Sequence, residues 1–238
     1  PEILEFFDAA GVLVLEGWGM TETSTAATIA TPEDFKVGTV GRPFPGCDVK
    51  IADDGEILVK GPNVFQGYYK NEEATSETLV DGWHHTGDIG ELDADGYLKI
   101  TGRKKDIIIT AGGKNITPAN LEAEIKQHPL VSQCVVVGDR KPFLVCVVTL
   151  DPEEAQKLAS EKGWDAATMH ENDEVRASIQ AHLDQINQKF ARVEQVKKFA
   201  ILPQDLSQEG GELTPTMKIK RNVVADKYEA QIESLYSA

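Results

Sequence analysis

The sequence predicts a two-domain protein: an α/β first part that is mostly β over residues 38–102, followed by an α+β second domain. Charge indicates the boundary, because residues 1–103 carry 19 acidic and 7 basic side chains whereas residues 104–238 carry 20 and 17. The pattern changes at the same place, from short strands with Asp/Gly turns to alternating strands and helices. We therefore expect domains at residues 1–103 and 104–238.

The first domain begins with what resembles the end of a helix at residues 1–10, followed by an apolar run at residues 11–15 that is typical of a buried strand. Later, two pairs of short strands flank Asp/Gly turns at residues 53–55 and 93–96, and each pair predicts a β-hairpin. We expect the hairpins to form a small β-barrel-like region. Because an element is already under way at residue 1, we also expect the chain to be a fragment of a longer protein.

The second domain alternates predicted strands and helices. Apolar runs predict core strands at residues 131–137, 143–150 and 197–202, and Thr117 followed by Pro118 is a typical helix start. Two apolar stripes at helical spacing predict one long amphipathic helix and one terminal helix. Their members are Val175, Ile179, Leu183, Ile186 and Phe190 in the first and Val224, Tyr228, Ile232 and Leu235 in the second.

Composition excludes several classes of protein. The longest unbroken apolar run, residues 143–148, is far shorter than the roughly 20 residues of a membrane helix, so we expect no transmembrane segment. A formal net charge of -15 argues against a nucleic-acid partner, which requires neutralisation of phosphates. The cysteines at 47, 134 and 146 have no paired spacing, so we expect reduced structural residues of a cytoplasmic protein and no zinc site.

Several glycine-punctuated segments occur in one order along the chain. They are residues 17–22 (GWGMTE), 55–61 (GEILVKG), 82–88 (GWHHTGD), 102–106 (GRKKD) and 112–118 (GGKNITP), followed by the distal Lys218. Each segment alone is a weak signal. Together they resemble the adenylate-forming superfamily of acyl-CoA and aryl-CoA ligases, luciferases and peptide-synthetase adenylation domains, and the resemblance covers nearly the whole chain.

Within that superfamily, residues 110–118 and 213–221 are most similar to bacterial long-chain fatty-acid–CoA ligases. Many relatives have a glycine where this chain has Met217, and the departure agrees with the long-chain subgroup. The resemblance implies the distal part of the large AMP-binding domain at residues 1–103, then a mobile α+β C-terminal lid domain with a hinge at about Lys105.

The resemblance also implies the reaction. ATP and a fatty acid would give acyl-AMP and pyrophosphate, and CoA would then take the acyl group, with ATP, Mg²⁺ and CoA as cofactor and co-substrates. Two other interpretations stay open: an isolated non-catalytic fragment, because the superfamily's upstream phosphate loop is not found in this sequence, and an adenylating enzyme that donates to an acyl carrier protein. Acyl chain length, oligomeric state and peripheral contact with the inner membrane are left open.

The first motif carries the residues expected at the nucleotide. Gly17 and Gly19 let the backbone approach closely, and Trp18 between them can stack on adenine as the aromatic does in relatives, although it would also suit a core. Thr21 offers a hydroxyl to the α-phosphate. Glu22 matches the family's magnesium carboxylate, a hard oxygen ligand, against the alternative of a solvated acid.

Two later residues complete the expected AMP site. Asp88 has two acceptor oxygens that suit the ribose hydroxyls, and the family places an arginine that matches Arg103 beside it. Without the family, a structural ion pair is an equal alternative. We interpret His84 and His85 as structural or solvent-facing.

Lys218 is the main candidate catalytic residue, together with Thr21 and Glu22. Its ammonium would offset the charge that develops on the α-phosphate during adenylation, and the same lysine would contact ATP and AMP. The loop at residues 204–216 delivers a basic cluster at 218–221, which predicts a mobile anion contact, with a solvated surface loop as the alternative.

In relatives, the loop around Gly112 lines the pantetheine tunnel after the small domain has moved. A side chain at Gly112 would obstruct such a passage, and Lys114 is a weaker candidate for a CoA phosphate. Lys105 would absorb the backbone change at the hinge, with a plain surface lysine as the alternative.

Overall fold

The computed structural model describes residues 2–237, and the chain separates into two compact units between Lys105 and Asp106. The elements of the first unit are α1 (Glu2–Ala9), β1 (Gly17–Trp18), β2 (Thr28–Ile29), β3 (Arg42–Pro43), β4 (Asp48–Ile51), β5 (Glu56–Lys60), α2 (Glu72–Thr78), β6 (Leu79–Val80), β7 (Trp83–Leu92) and β8 (Leu98–Arg103). Strands β1–β3 form a small antiparallel sheet of their own.

The main sheet of the first unit has β7 at its centre. Strand β7 pairs antiparallel with β5, β6 and β8, and β5 pairs with β4. Both predicted hairpins are confirmed, with Gly55 and Gly96 at positive φ in their turns. The expected barrel is wrong: within residues 2–237, β4 pairs with β5 alone, whereas a barrel needs its first and last strands joined by hydrogen bonds.

The segment that joins α1 to β1 also differs from expectation. The helix at the start of the chain is confirmed as α1, but residues 11–15 form no strand, and Val12 to Leu15 are exposed. An apolar run becomes a strand only where a neighbouring strand satisfies its backbone groups, and no strand in the described part of the chain pairs with it.

The second unit contains β9 (Ile108–Ile109), β10 (Asn115–Ile116), α3 (Pro118–Ile125), β11 (Val131–Val137), β12 (Leu144–Leu150), α4 (Pro152–Lys162), α5 (Asp173–Asn187), β13 (Val196–Ile201), α6 (Arg221–Lys227) and α7 (Glu229–Tyr236). Strands β9 and β10 form a short hairpin. In the main sheet, β12 lies between β11, which is antiparallel to it, and β13, which is parallel. The predicted core strands and the helix that starts after Thr117 are confirmed.

Both faces of this sheet are covered, which explains why β12 is apolar from Leu144 to Val148. Cys146 and Val148 pack into a cluster with buried residues of α3, α4 and α5, whereas Val145 and Val147 pack into a second cluster with residues of α6 and α7. The cysteines at 47, 134 and 146 are buried and free, in agreement with a structural role.

The helical stripes are confirmed with changed ends. Helix α5 buries four of the predicted residues and ends at Asn187, before Phe190. The terminal stripe spans two helices, because Tyr228 has φ -110° and ψ 22° and interrupts the helix between α6 and α7. No helix in residues 2–237 has the length and apolar character to cross a bilayer.

Candidate functional site

Three residues predicted at the nucleotide converge in the first unit. The indole nitrogen of Trp18 donates to Asp88 Oδ2 at 3.0 Å, and Arg103 Nε lies 3.1 Å from Asp88 Oδ1. Asp88 and Arg103 are register partners across β7 and β8. The Asp88 side chain is only 8% exposed, yet each of its oxygens has one partner and keeps a lone pair for another donor.

The part of β7 that precedes Asp88 is held from β5. Thr86 Oγ1 donates to the carbonyl of Ile57 at 2.7 Å and accepts from the backbone N–H of Asp88 at 3.1 Å. Gly87 has φ +70°, in the left-handed region that favours glycine, and its N–H donates to Glu56 Oε1 at 2.9 Å. The backbone that leads to the Asp88 carboxylate is therefore held by side-chain hydrogen bonds.

Glu56 is a functional candidate that the sequence reasoning missed. It is 3% exposed, and its Oε2 lies 3.0 Å from His85 Nδ1 and 2.8 Å from Lys104 Nζ. Burial works to raise the pKa of Glu56, but hydrogen bonds from Lys104, His85 and Gly87 outweigh it and hold the pKa below its usual value. The available signal was an acidic residue opening an apolar strand within the GEILVKG segment.

The two glycines of the first motif differ in how strictly the fold needs them. A Cβ at Gly19 would lie 1.9 Å from the carbonyl oxygen of Thr25, so the fold requires glycine there. A Cβ at Gly17 would lie 3.1 Å from the carbonyl oxygen of Thr28, a close contact that a shift of a few tenths of an ångström would relieve. The contact of both glycines with nucleotide stays a prediction.

Thr21 and Glu22 lie on a short 3₁₀ turn that follows β1. Thr21 is exposed, and Glu22 is half-buried with its Oε1 accepting from the Tyr68 hydroxyl at 2.8 Å. Among the residues that the structure describes, no group of three or more His, Cys, Asp or Glu could hold a metal by itself. A single carboxylate nevertheless suits Mg²⁺, which commonly takes one or two carboxylates and completes its shell with phosphate and water oxygens.

The two histidines agree with a structural interpretation. His84 is 2% exposed, and burial lowers its pKa. Its Nε2 lies 3.1 Å from Met20 Sδ, so it packs beneath the Thr21–Glu22 turn, while its buried Nδ1 has no partner among the described residues. His85 is committed to Glu56.

In the second unit, Lys218 lies in a tight turn closed by a bridge between Leu213 and Ile219. The Thr214 N–H donates to the Lys218 carbonyl at 2.8 Å, and Thr214 Oγ1 accepts from the Lys218 N–H at 3.0 Å. Met217 has φ +63°, so this turn requires a conformation in which glycine is favoured. The Lys218 side chain is exposed, and within residues 2–237 it makes no ion pair.

The expected basic cluster is smaller than predicted. Arg221 Nη1 donates to Glu122 Oε1 at 2.7 Å, and Nη2 contacts the other oxygen, so the guanidinium is engaged by both. Glu122 is 8% exposed and also accepts from the Val136 N–H at 2.7 Å. Arg221 therefore anchors the end of the loop to α3 and β11 and is not a free anion contact.

The residues that precede the Lys218 turn are anchored by a second buried carboxylate. Glu212 is 2% exposed and accepts from Lys227 Nζ and, at 3.2 Å, from the Tyr228 hydroxyl. The Lys220 N–H also donates to the Glu212 carbonyl at 2.7 Å. Fixed residues on both sides leave Lys218 exposed at the tip of a defined turn.

The other predicted residues lie on exposed turns. Gly112 and Lys114 belong to the β9–β10 turn, in which Gly113 has φ +75° and donates to the Thr110 carbonyl at 2.8 Å. A Cβ at Gly112 would meet only Thr110 Oγ1 at 4.0 Å. The turn thus requires glycine at 113 and not at 112. Lys105 is exposed at the end of the first unit.

Comparison with known proteins covers both units. Residues 1–69 match the family of AMP-binding enzymes, and residues 105–238 match the AMP-binding enzyme C-terminal domain. The chain is 48% identical over 98% of its length to the long-chain-fatty-acid–CoA ligase FadD15 of Mycobacterium bovis and 44% identical over 100% to the putative fatty-acid–CoA ligase fadD11 of Mycobacterium tuberculosis. It spans 39% and 42% of those proteins.

A solved structure shows the same architecture. O-succinylbenzoate coenzyme A synthetase (MenE) from Bacillus subtilis, in complex with ATP and a magnesium ion, aligns with a TM-score of 0.70 and 28% identity. The alignment covers 93% of this chain and 43% of that enzyme. The α/β fold of adenylate-forming enzymes is thus shared over almost all of the chain.

Proposed function

The chain belongs to the AMP-binding enzyme family, and from this we propose that it is the distal part of a long-chain fatty-acid–CoA ligase. The observation that carries the proposal is the convergence of Trp18 and Arg103 on the Asp88 carboxylate. An aromatic face beside a paired acceptor is the chemistry that binds a purine nucleoside.

The reaction proceeds in two transfers. A fatty-acid carboxylate oxygen attacks the α-phosphorus of ATP, and the bond to pyrophosphate breaks, giving acyl-AMP. The CoA thiol, losing its proton, then attacks the acyl carbon, and AMP leaves with the electrons of the broken C–O bond. The net products are acyl-CoA, AMP and pyrophosphate.

The first unit would hold the nucleotide. Asp88 would accept hydrogen bonds from the ribose hydroxyls with its free lone pairs. Trp18, which lies between Gly17 and Gly19, would pack against adenine, and Thr21 would donate to the α-phosphate. Glu22 would hold Mg²⁺, which when bound neutralises phosphate charge. Arg103 would orient the Asp88 carboxylate through their ion pair.

Lys218 would act in the first transfer. Its ammonium has no competing carboxylate within residues 2–237, so it is available to stabilise the charge that develops at the α-phosphate. Residues 104–238 would move as a lid about a hinge at Lys105, and the turn that carries Gly112 and Lys114 would then serve the CoA step.

Substitution of the lysine tests this assignment. In the protein encoded by the complete gene, Lys218→Ala should lower ATP–pyrophosphate exchange about 100-fold or more. Thioester formation from supplied acyl-AMP should be retained, because the lysine acts only in adenylation. Lys220→Ala, which removes a neighbouring exposed lysine, is the matched control. An equal fall in both half-reactions would refute the role.

Two further measurements separate the alternatives. Comparing the rates of acyl transfer to CoA and to an acyl carrier protein distinguishes a CoA ligase from an enzyme that loads a carrier. Pyrophosphate exchange by the 238-residue chain alone tests whether it is a non-catalytic fragment.

A substitution at Lys105 tests the proposed hinge. Lys105→Pro restricts φ at this residue and should slow the thioester step more than adenylation.

A further inference from the structure

Glu56 is a buried carboxylate to which the proposed reaction assigns no role. Its two oxygens serve two different segments: Oε1 accepts from the Gly87 N–H, and Oε2 contacts Lys104 Nζ. Gly87 immediately precedes Asp88, and Lys104 immediately follows Arg103. Glu56 therefore holds the chain next to each member of the Asp88–Arg103 pair.

The contacts of Glu56 restrict where those segments can lie. A carboxylate that is 3% exposed is costly unless all of its acceptor positions are filled, so its partners are held to within hydrogen-bonding distance. Lys104 also contacts Asp54 Oδ2 at 2.7 Å, and the two acids together raise its pKa. The ammonium thus joins the β4–β5 turn to the end of β8.

Side-chain packing does not fix Gly87, which lies within β7. A Cβ at this position would have no atom within 4 Å, so neither packing nor steric contact imposes its φ of +70°. The Glu56 oxygen is the contact that orients this N–H. Loss of that acceptor would loosen this part of β7 and with it the placement of the Asp88 carboxylate against Trp18.

We infer that Glu56 is a positioning residue for nucleotide binding, which sets the Asp88 carboxylate and Arg103 in the geometry that receives the ribose. The inference rests on the proposed role of Asp88. Glu56 is a positioning residue because its side chain is buried and its oxygens bind Gly87, His85 and Lys104 of the chain itself.

The test is Glu56→Gln in the protein encoded by the complete gene. The amide keeps the size of the side chain but has one acceptor oxygen, so it cannot serve both Gly87 and Lys104. We expect the KM for ATP and the Kd for AMP to rise about 10-fold, in line with the loss of a hydrogen bond to a charged group, while kcat at saturating ATP stays within about threefold. Glu91→Gln removes an exposed acid that pairs with Lys99 on the β7–β8 hairpin, and it should change neither constant.

Asp88→Asn separates failure of this inference from failure of the proposed function. If Asp88→Asn binds AMP as tightly as the parent protein, the ribose role of Asp88 is wrong and the inference falls with it. If Asp88→Asn weakens AMP binding while folded Glu56→Gln retains parental affinity, the inference alone is overturned.

Gly87→Ala provides a second test if Glu56→Gln folds poorly. Alanine has space at this position but disfavours the positive φ, so it disturbs this part of β7 without removing the Glu56 carboxylate. A rise in the KM for ATP with a small change in Tm supports positioning. A fall in Tm and kcat with unchanged KM overturns it, because that result describes a purely structural contact.

Discussion

The indole N–H of Trp18 donates a hydrogen bond to Asp88 Oδ2 at 3.0 Å, although 70 residues separate the two in the sequence. A hydrogen bond therefore links Trp18 of the first glycine-rich motif to Asp88 of the third. Any ligand that contacts one of them meets a side chain whose orientation is set by the other.

Trp18→Phe separates stacking from orientation. Phenylalanine keeps an aromatic face but cannot donate to Asp88, so we expect AMP affinity to fall about 5-fold, corresponding to about 1 kcal/mol for one hydrogen bond. Calorimetric titration of AMP measures it. Trp83→Phe is the control and should leave the affinity unchanged. The Trp83 ring packs against Lys50, whose Nζ lies 4.0 Å from the ring centroid. Equal affinity for both variants would show that the indole hydrogen bond has no part in binding.

Breaking the Glu122–Arg221 pair should destabilise the second unit. In Arg221→Met the 8% exposed Glu122 keeps the Val136 N–H but loses its counter-charge, so we expect a loss of about 3 kcal/mol in the free energy of unfolding. Urea denaturation measures it. Arg192→Met changes an exposed arginine and should shift the midpoint little. A shift in Arg221→Met no larger than that of the control would contradict the anchoring role.

Stability of the second unit should depend on pH through His128. The Leu130 N–H donates to His128 Nδ1 at 3.2 Å, which leaves the proton on Nε2, 3.0 Å from Ser178 Oγ. Burial, and then the neighbouring His182, lower the pKa of His128 below 6.5. Because the unfolded chain binds a proton more readily, stability is complete above about pH 6.5 and falls as the pH drops through the folded value.

His128→Asn provides the comparison. Its side-chain oxygen can still accept from Leu130, but it does not titrate, so the variant should lose less stability between pH 7.5 and pH 5.5 than the parent chain. Urea midpoints at the two pH values measure the difference. Parallel losses in the two proteins would assign the effect to other groups.

Adjacent glycines in the β9–β10 turn should respond differently to alanine. Gly113→Ala places a side chain at φ +75° and should cost about 1 kcal/mol of stability, whereas Gly112→Ala meets open space and should be within about 0.5 kcal/mol of the parent. Thermal denaturation measures both. If stable Gly112→Ala also slows thioester formation, the glycine serves passage of CoA; an unchanged rate would argue against that proposal.

Local chemistry predicted most of the elements. Hairpin turns such as residues 53–55 contain their own Asp and Gly signals, and the β12 run is apolar because both of its faces are covered. The signals for such elements lie in residues that are close together in the sequence. The order of the glycine-rich segments added the family resemblance.

Long-range contacts escaped prediction for a physical reason. Glu56 and Gly87 lie 31 residues apart, and Arg221 and Glu122 lie 99 apart, so no periodicity links them. Residues 11–15 have the composition of a strand, but a strand also needs a partner, and composition does not contain that information. The barrel expectation failed in the same way, since closure depends on which strands meet.

The parallel pairing of β12 with β13 also has a consequence for how the second unit folds. The β11–β12 hairpin closes over the short turn at residues 138–143, whereas β13 reaches β12 only after residues 151–195 have been drawn into a loop. Closing the longer loop costs more chain entropy before any hydrogen bond is gained. We therefore expect β13 to join the sheet late, so that Phe199→Leu in β13 accelerates unfolding and leaves the refolding rate nearly unchanged.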